Sequence, residues 1–494
     1  MVEEGVKVVD ALHTTLQESK TDQVLIDRYA GEAAEIVGAE NVSANQADLL
    51  STCRDYWPVG NIWRAEGSVP ALPQLVVWPH NTEEVSRLLA LADREKIPVT
   101  PFGEGSGALG GVVPLRGGVT FDLKRMNKVR AIDEKNLLVT VESGLNGALY
   151  EEQLNHAGYT GGHFPQSLRC STVGGWLSCR AAGQFSTRYG KIEDIAVSLE
   201  AVLPDGTIFS GRNVPRTATG PRVDHFLLGS EGTLGIITSA TLRIWPLPEK
   251  RRLAAYTFER LEDGLEAIRL FMRAGTRPAV VRLYDSQETG NHFPDLGDER
   301  CALILLIEGA AKIVEAEASV IEDCVQSRGA ESAGYKHVEH WLEKRFDISV
   351  ASMLFQKGAV LDTIEVSTNW HNAHSTYRTM QEALLGVEGT MLVSGHYSHV
   401  YPEGAALYMT TVGFPGEDKI AYYKKIWQVA MKACLAEGSA FSHHHGVGLH
   451  RGLWMAEEHG TGLDVLRRIK KALDPHEIMN YGKLGLGEVQ KWQK

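Results

Sequence analysis

Residues 101–111 read PFGEGSGALGG, and the five glycines of this stretch (Gly103, Gly105, Gly107, Gly110 and Gly111) decide how the chain is to be read. Glycines at this density let successive backbone N–H groups converge on a phosphate, because no Cβ stands in the way. A flexible surface turn has the same composition, so the stretch alone does not choose. No Gly-Lys-Ser/Thr follows, which excludes a P-loop. The segment also runs into strand-rich sequence, with no long helix and no acidic residue about 20 positions on, which excludes the Rossmann fingerprint. Working outward, two further polar, glycine-bearing loops follow: HFPQSLRCSTVGGW (163–176) and LLGSEGTLGIIT (227–238). Three such loops at strand ends of one α/β region point to an extended dinucleotide wrapped around its central diphosphate.

The texture around these loops alternates strand and helix. PQLVVWP (73–79) is a short apolar run between prolines, TEEVSRLLALADREK (82–96) an amphipathic helix opened by Thr82, and PVTPFG (98–103) the next strand. Strands follow at GVTFDL (118–123) and LLVTVESG (137–144), and a second α/β block runs from GALYEEQLNHAG (147–158) to TSATLRIWPLP (238–248). Beyond about residue 250 the order becomes strand, helix, helix, strand, typified by CALILLIEG (301–309) and the long helix AAKIVEAEASVIEDCVQSRG (310–329). That order predicts an antiparallel sheet with helices on one face. The expectation is an α+β chain in four parts: a helical N-terminal segment (1–66), a two-lobed α/β dinucleotide domain (67–248), a cap of antiparallel sheet plus helices (249–455), and a C-terminal helix (456–494) that returns to the dinucleotide domain.

Bulk properties narrow the function. The 494 residues exceed what one core serves. With 62 acidic against 50 basic residues the net charge is -12, and nucleic acid is excluded as a partner for want of a clustered basic face. Six scattered cysteines without a CxxC pair suit free thiols in a reducing compartment. The acidic start MVEEGVKVVD is no signal peptide, no apolar run reaches the length of a membrane span, and the end VQKWQK is no peroxisomal address, so the cytoplasm is expected.

The C-terminal half offers reactive side chains. FSHHHGVG (441–448) sets His443, His444 and His445 in a row. Adjacent strand residues face opposite ways, so three in a row do not readily share one metal, and no metal site is expected. GHYSHVYPEGAALYM (395–409) brings Tyr408, which by itself reads as a packed ring. HWLEKRFDISV (340–350) brings Arg345, which by itself reads as a surface partner of Asp347.

The segments PFGEGSG, STVGGW and SEGTLGIIT resemble the signature loops of the FAD domain shared by vanillyl-alcohol oxidase, D-lactate dehydrogenase and their relatives, the PCMH-type FAD domain. The resemblance covers about residues 70–248 and has the three loops in order. It implies FAD as cofactor, with Pro101, Phe102, Gly103, Glu104, Gly105, Ser106 and Gly107 at the diphosphate. It also implies that Pro165, Gln166, Ser167, Ser171, Thr172, Gly174, Gly175, Cys179, Arg180, Ala181 and Ala182 line the flavin, ribose and adenine path. Glu231, Gly232, Thr233, Leu234, Gly235, Ile236 and Ile237 complete it. Members with covalent flavin carry His or Cys in the first loop, whereas this chain has Glu104 and Ser106, so FAD is expected to be non-covalent. Glu104 departs from the pattern: its carboxylate would repel a diphosphate unless it points away.

Further matches (SLRCSTVGGWLSCRAAG, RYGKIEDI, TATGPRVDHFLLGSEGTLGIIT, VRLYDS, SHVYPEGAALYM and SHHHGVG) are similar to the alkylglycerone-phosphate synthase family and spread over most of residues 70–486. This resemblance implies exchange of the acyl group of acyl-dihydroxyacetonephosphate for a fatty alcohol through flavin N5, a step of ether-lipid synthesis. It implies Tyr408 as acid/base, a requirement for His443, His444 and His445, and Arg345 on the substrate phosphate, with Arg282 of VRLYDS as a second substrate-binding residue. Imidazolium from the three histidines would then help the phenol ionise. The expected partners are a phosphorylated, lipid-like small molecule and a second copy of the chain in a homodimer, and peripheral membrane contact is left open. The alternative is an FAD-linked oxidase or dehydrogenase of a D-2-hydroxyacid. That branch carries His-x-Gly-Asp-Gly-Asn-x-His and Glu-His-Gly; here His399 can stand for the first histidine, but the Gly-Asp-Gly-Asn core is absent, Tyr408 falls near the second histidine, and His443–Gly446 replaces Glu-His-Gly. A catalytically dead flavin module is a third class, for which a Tyr/His/Arg set would have no use.

Overall fold

The glycine-rich loop leaves the end of a parallel strand. In the computed structural model, which describes residues 13–347 and 354–487, this strand belongs to a four-stranded sheet. The first twelve residues of the expected helical segment and the terminal VQKWQK lie outside the described residues. The sheet comprises β1 (Val42–Ser43), β2 (Leu75–Val77), β3 (Val99–Phe102) and β4 (Val119–Asp122) in the order β1-β2-β4-β3. β2, β4 and β3 run parallel, and their buried Val and Leu side chains pack on helices α1 (Gln23–Val37) and α2 (Thr82–Glu95). α2 starts where the sequence dictates: Asn81 caps it by accepting from the Glu84 N–H at 2.9 Å, and Glu84 accepts from the His80 N–H at 2.7 Å.

A second sheet is wholly antiparallel: β5 (Val129–Asp133), β6 (Leu138–Glu142), β7 (Ala196–Val202), β8 (Ile208–Ser210) and β9 (Ile236–Arg243), in the order β8-β7-β9-β6-β5. The loop 163–176 and helices α3 (Gly147–His156) and α4 (Val173–Cys179) lie between β6 and β7.

The third sheet has seven antiparallel strands: β10 (Lys250–Phe258), β11 (Val280–Tyr284), β12 (Cys301–Gly309), β13 (Glu331–Gly334), β14 (Val360–Asn369), β15 (Thr390–Val400) and β16 (Gly404–Gly413), in the order β13-β10-β12-β11-β15-β16-β14. Period-2 alternation divides its residues. Leu283, Ile364, Val366, Tyr397, Leu407 and Met409 join the core formed with α5 (Leu261–Arg273), α6 (Ala311–Gln326), α7 (Ala373–Leu385) and α8 (Lys419–Ala436). Val280, Tyr284, Ile304 and Leu306 join instead a core shared with the second sheet and with Leu168, Trp176 and Tyr189. Four helices therefore cover one face of the big sheet, while the other packs on the second sheet and its loops together with the helix Lys336–Lys344. After α9 (Thr461–Leu473) the chain comes back to β3, where Val99 N–H donates to Ile478 O at 2.7 Å and Asn480 N–H to Val99 O at 2.8 Å.

Candidate active site

The three loops meet. Gly103 leaves β3 so close to the second loop that a Cβ on it would lie 2.5 Å from Thr172 Oγ1. Gly105 has φ +62, and a Cβ there would lie 2.8 Å from the Arg54 carbonyl oxygen. Gly232 of the third loop packs on the Pro101 ring, where a Cβ would lie 2.9 Å from it. Glu231 N–H donates to Ser178 O at 2.9 Å. Glu104 points sideways: both its oxygens accept from Asn146 Nδ2, at 3.0 and 2.9 Å, and the same amide donates to Arg169 O. The departure noted in the sequence is thereby accommodated. Gln166, Gly175 and Arg180 are exposed, while Glu231 to Ile237 are all buried. Leu234 and Ile237 enter one core and Ile236 another, so this stretch offers its backbone to the loops.

The surroundings fit FAD. Beside the converging loops, both ring nitrogens of buried His163 and the buried Ser143 hydroxyl have no hydrogen-bond partner among the described residues. Orphaned buried polar atoms are costly, and a polar ligand relieves them. His163 was not singled out in the sequence, where it reads only as the first residue of the second loop.

On the face of the seven-stranded sheet that packs toward the second sheet and the loops, four strands put one residue each in a single cross-strand row. Tyr284 of β11 pairs with His396 of β15, His396 with Tyr408 of β16, and Tyr408 with Glu365 of β14. The His396 and Tyr408 rings stack with centroids 4.5 Å apart. Arg282, two residues from Tyr284 on the same face, donates to the Tyr284 hydroxyl at 2.9 Å and lies 2.6 Å from His396 Nε2. His396 Nδ1 is 2.9 Å from Glu288, a carboxylate held well below the usual range because His396 and His292 outweigh its burial. The Nδ1–H tautomer of His396 satisfies both neighbours.

Two buried carboxylates clamp the histidine loop. Glu365 accepts from the backbone N–H of His443, from that of His445 at 2.8 Å, from Ser442 Oγ at 3.1 Å and from Arg451 Nη1 at 2.9 Å. Burial alone would raise the Glu365 carboxyl, but the Arg451 guanidinium, helped by the His443 backbone N–H, outweighs it and holds it at about 2. Downstream, Glu231 of the third loop accepts from Val447 N–H at 2.6 Å and Gly448 N–H at 2.7 Å. Gly446 between the clamps has φ +84 and no room for a Cβ, which would lie 2.5 Å from Glu231 Oε1. Burial pushes Glu231 up to about 7 against those N–H groups.

So held, the loop meets Tyr408. Its hydroxyl lies 3.1 Å from His444 Nε2 and 2.6 Å from His399 Nε2. His443 contacts His444 through their Nδ1 atoms at 2.9 Å and reaches the Tyr401 hydroxyl at 2.8 Å, and Lys191 Nζ donates to His443 O at 2.7 Å. His445 stands edge-on to His444 with centroids 4.5 Å apart. Arg345 sits apart, over the rings of Phe346 (4.4 Å), Phe185 (4.9 Å) and Phe164 (5.0 Å), and donates to Gln184 Oε1 at 3.2 Å. One short segment links it to the Tyr408 cluster, since Ser186, two residues after Gln184, lies 2.7 Å from His399 Nδ1.

One sequence expectation is reversed. Imidazolium does not support the phenol: burial, reinforced by Lys191, pushes His443 down to about 3, and burial with the neighbouring histidines holds His444 far below its ordinary value. These rings are neutral at ordinary pH. Burial raises the Tyr408 phenol, and the cation that opposes the rise is Arg282. Glu365, His396 and Arg451 gave no local signal of a role in the sequence, because their partners lie far away in the chain; His399, which the hydroxyacid comparison sets at the first metal histidine, lies instead against the Tyr408 hydroxyl.

Residues 73–211 match the model of the FAD binding domain, and residues 247–484 that of the FAD linked oxidases, C-terminal domain. An uncharacterized FAD-linked oxidoreductase, YgcU, of Escherichia coli O157:H7 is 33% identical over 469 residues, covering 91% of this chain and 96% of that one. The alkyldihydroxyacetonephosphate synthase of Dictyostelium discoideum is 30% identical over 455 residues, covering 85% of this chain and 74% of that one. Among solved structures, an alkyldihydroxyacetonephosphate synthase superposes with a TM-score of 0.80 at 25% identity over 96% of this chain and 86% of that one. Among the described residues no helix is long and apolar enough to cross a membrane. With two family domains in order and a relative at 33% identity that matches over more than nine-tenths of both chains, the chain belongs to the FAD-linked oxidase family of PCMH-type flavoproteins and is an FAD-dependent enzyme.

Proposed function

We propose that this enzyme exchanges the acyl group of acyl-dihydroxyacetonephosphate for a fatty alcohol, as an alkylglycerone-phosphate synthase does. The observation that carries the reading is the Tyr408 hydroxyl held between two neutral imidazoles, 2.6 Å from His399 and 3.1 Å from His444. A phenol in that setting can take a proton from a substrate carbon and give it back, which a redox-neutral exchange needs twice. FAD, once bound, supplies the isoalloxazine through which one group leaves and the other enters. Arg282 provides fixed positive charge beside the phenol. Arg345 is the phosphate ligand in this reading: burial among aromatic rings lowers its guanidinium to about 10, a desolvation cost that a bound phosphate offsets. Residues 67–248 act as the flavin domain and 249–455 as the cap. A lipid-like substrate, peripheral membrane contact, a homodimer and a cytoplasmic site belong to the same proposal.

The hydroxyacid alternative has one observation in its favour: Glu365, His444 and His445 offer ligand atoms within 4.8 Å of one another. The Glu365 oxygens, however, already accept from two backbone N–H groups, Ser442 and Arg451, and Arg451 holds positive charge where the ion would sit. The experiment is anaerobic incubation of the holoenzyme with acyl-dihydroxyacetonephosphate and a fatty alcohol. The proposal expects bleaching of the visible flavin band and release of free fatty acid without an electron acceptor. Bleaching only by a D-2-hydroxyacid, abolished by a chelator, contradicts it.

A further inference from the structure

His399 occupies an irregular point of β15. Ser398 pairs with Ala406 and Val400 with Ala405, which leaves His399 as the extra residue of a β-bulge. Its φ is +50, in the left-handed region that a residue with a Cβ enters only under strain. Simple alternation would turn His396 and His399 to opposite faces of the sheet. The bulge cancels that alternation and turns His399 to the face where His396 stacks on Tyr408. A strained backbone that redirects one side chain onto the hydroxyl of the proposed acid/base marks that side chain as part of the device.

The contacts on either side extend the argument. Ser186 Oγ lies 2.7 Å from His399 Nδ1, His399 Nε2 2.6 Å from the Tyr408 hydroxyl, and that hydroxyl 3.1 Å from His444 Nε2. His444 Nδ1 lies 2.9 Å from His443 Nδ1, and His443 Nε2 2.8 Å from the Tyr401 hydroxyl. Each hydroxyl carries one proton, and each neutral imidazole one N–H and one lone pair. A single sense of donation, Tyr401 to His443 to His444 to Tyr408 to His399 to Ser186, satisfies every contact.

We propose that His399 is the proton partner of Tyr408, a positioning residue that accepts the phenol's own proton while Tyr408 receives one from the substrate. The inference rests on the acid/base reading of Tyr408. In the forward step a substrate C–H bond breaks and its electron pair stays on carbon. The proton joins the Tyr408 oxygen, and the proton that oxygen held passes to His399 Nε2, leaving His399 as imidazolium with Nδ1–H on Ser186. The reverse passage returns the proton at product formation. Burial makes a free phenolate costly here and also holds His399 well below the ordinary imidazole range, so the imidazolium is a transient that hands its proton back through Tyr408.

The test is His399→Gly in the holoenzyme, because glycine is at home at φ +50 and leaves a hole the size of an imidazole. Melting temperature, flavin content and KM should change little, turnover should fall by about 10²–10⁴-fold, and added imidazole should restore it saturably. His399→Asn, which also tolerates the left-handed region, should fall comparably. Loss of turnover in Tyr408→Phe with normal turnover in His399→Gly overturns this inference alone; normal turnover in Tyr408→Phe overturns the acid/base reading beneath it. A readout without substrate is the ¹⁵N spectrum of the histidines: the His399 Nε2 signal, identified by its loss in His399→Gly, should shift in Tyr408→Phe. An unmoved signal, or a loss of turnover that imidazole does not restore, overturns the proposal.

Discussion

Glu365 stands directly opposite Tyr408 in the ladder between β14 and β16, so the anchor of the triple-histidine loop and the phenol that loop touches come from one register of one sheet. Arg451, fully buried with Glu365, completes the anchor. Glu365→Gln leaves that guanidinium without its counter-charge and should cost about 3–5 kcal/mol of stability. The pH dependence has a definite sign. A carboxyl held at about 2 in the folded chain, against 4.5 as reference, contributes stability that is fully present above the reference and is lost as pH falls toward the folded value. Thermal unfolding should therefore separate wild type from Glu365→Gln widely near about pH 6 and much less near about pH 3. An equal gap at both pH values would contradict the charged anchor.

Gly105 tests the diphosphate loop. Its φ of +62 and the Arg54 carbonyl 2.8 Å from where a Cβ would sit leave no room for a side chain. Gly105→Val should purify folded by circular dichroism yet largely colourless. Normal flavin content in that variant would remove the loop from the cofactor site.

FAD should be held without a covalent bond. The first loop has no His or Cys, and burial raises the thiols of Cys170 and Cys179 in the neighbouring segment, which leaves them poor nucleophiles. Acid precipitation should leave a white pellet and a yellow supernatant; yellow protein would refute this.

How much of this was legible in sequence follows from the range of the interactions. The three loops announced themselves, because the glycines that let backbone approach backbone are local features, and Gly103, Gly105 and Gly232 do meet Thr172, Arg54 and Pro101. The antiparallel cap was legible from strand and helix order, and β12 and α6 follow CALILLIEG and AAKIVEAEASVIEDCVQ closely. The row Tyr284–His396–Tyr408–Glu365 was not, since it depends on the register of four strands far apart in the chain. Nor was the bulge that turns His399 around, which no residue type announces. The charge state of His443 to His445 differs from the sequence expectation for a related reason: three histidines in a row look solvated and cationic, but the fold packs them against one another and Lys191 in a half-buried site.

Arg345 carries the phosphate in this account, and its planar fork matters as much as its charge. Arg345→Lys should raise KM for acyl-dihydroxyacetonephosphate by about 10–100-fold, the scale of a charge-assisted hydrogen bond, with a much smaller change in kcat. Inorganic phosphate should compete with substrate in wild type and compete less well in the variant. An unchanged KM would move phosphate recognition elsewhere, with Arg282 next to be substituted.

The measurement that bears most directly on the central claim is turnover of acyl-dihydroxyacetonephosphate and fatty alcohol by Tyr408→Phe. The substitution removes one oxygen and keeps the ring that stacks on His396, so flavin content and melting temperature should stay near wild type. Turnover should fall by about 10²–10⁴-fold, the usual contribution of a general acid–base group. Retention of most activity, together with chelator-sensitive oxidation of a D-2-hydroxyacid by the same preparation, would contradict the account.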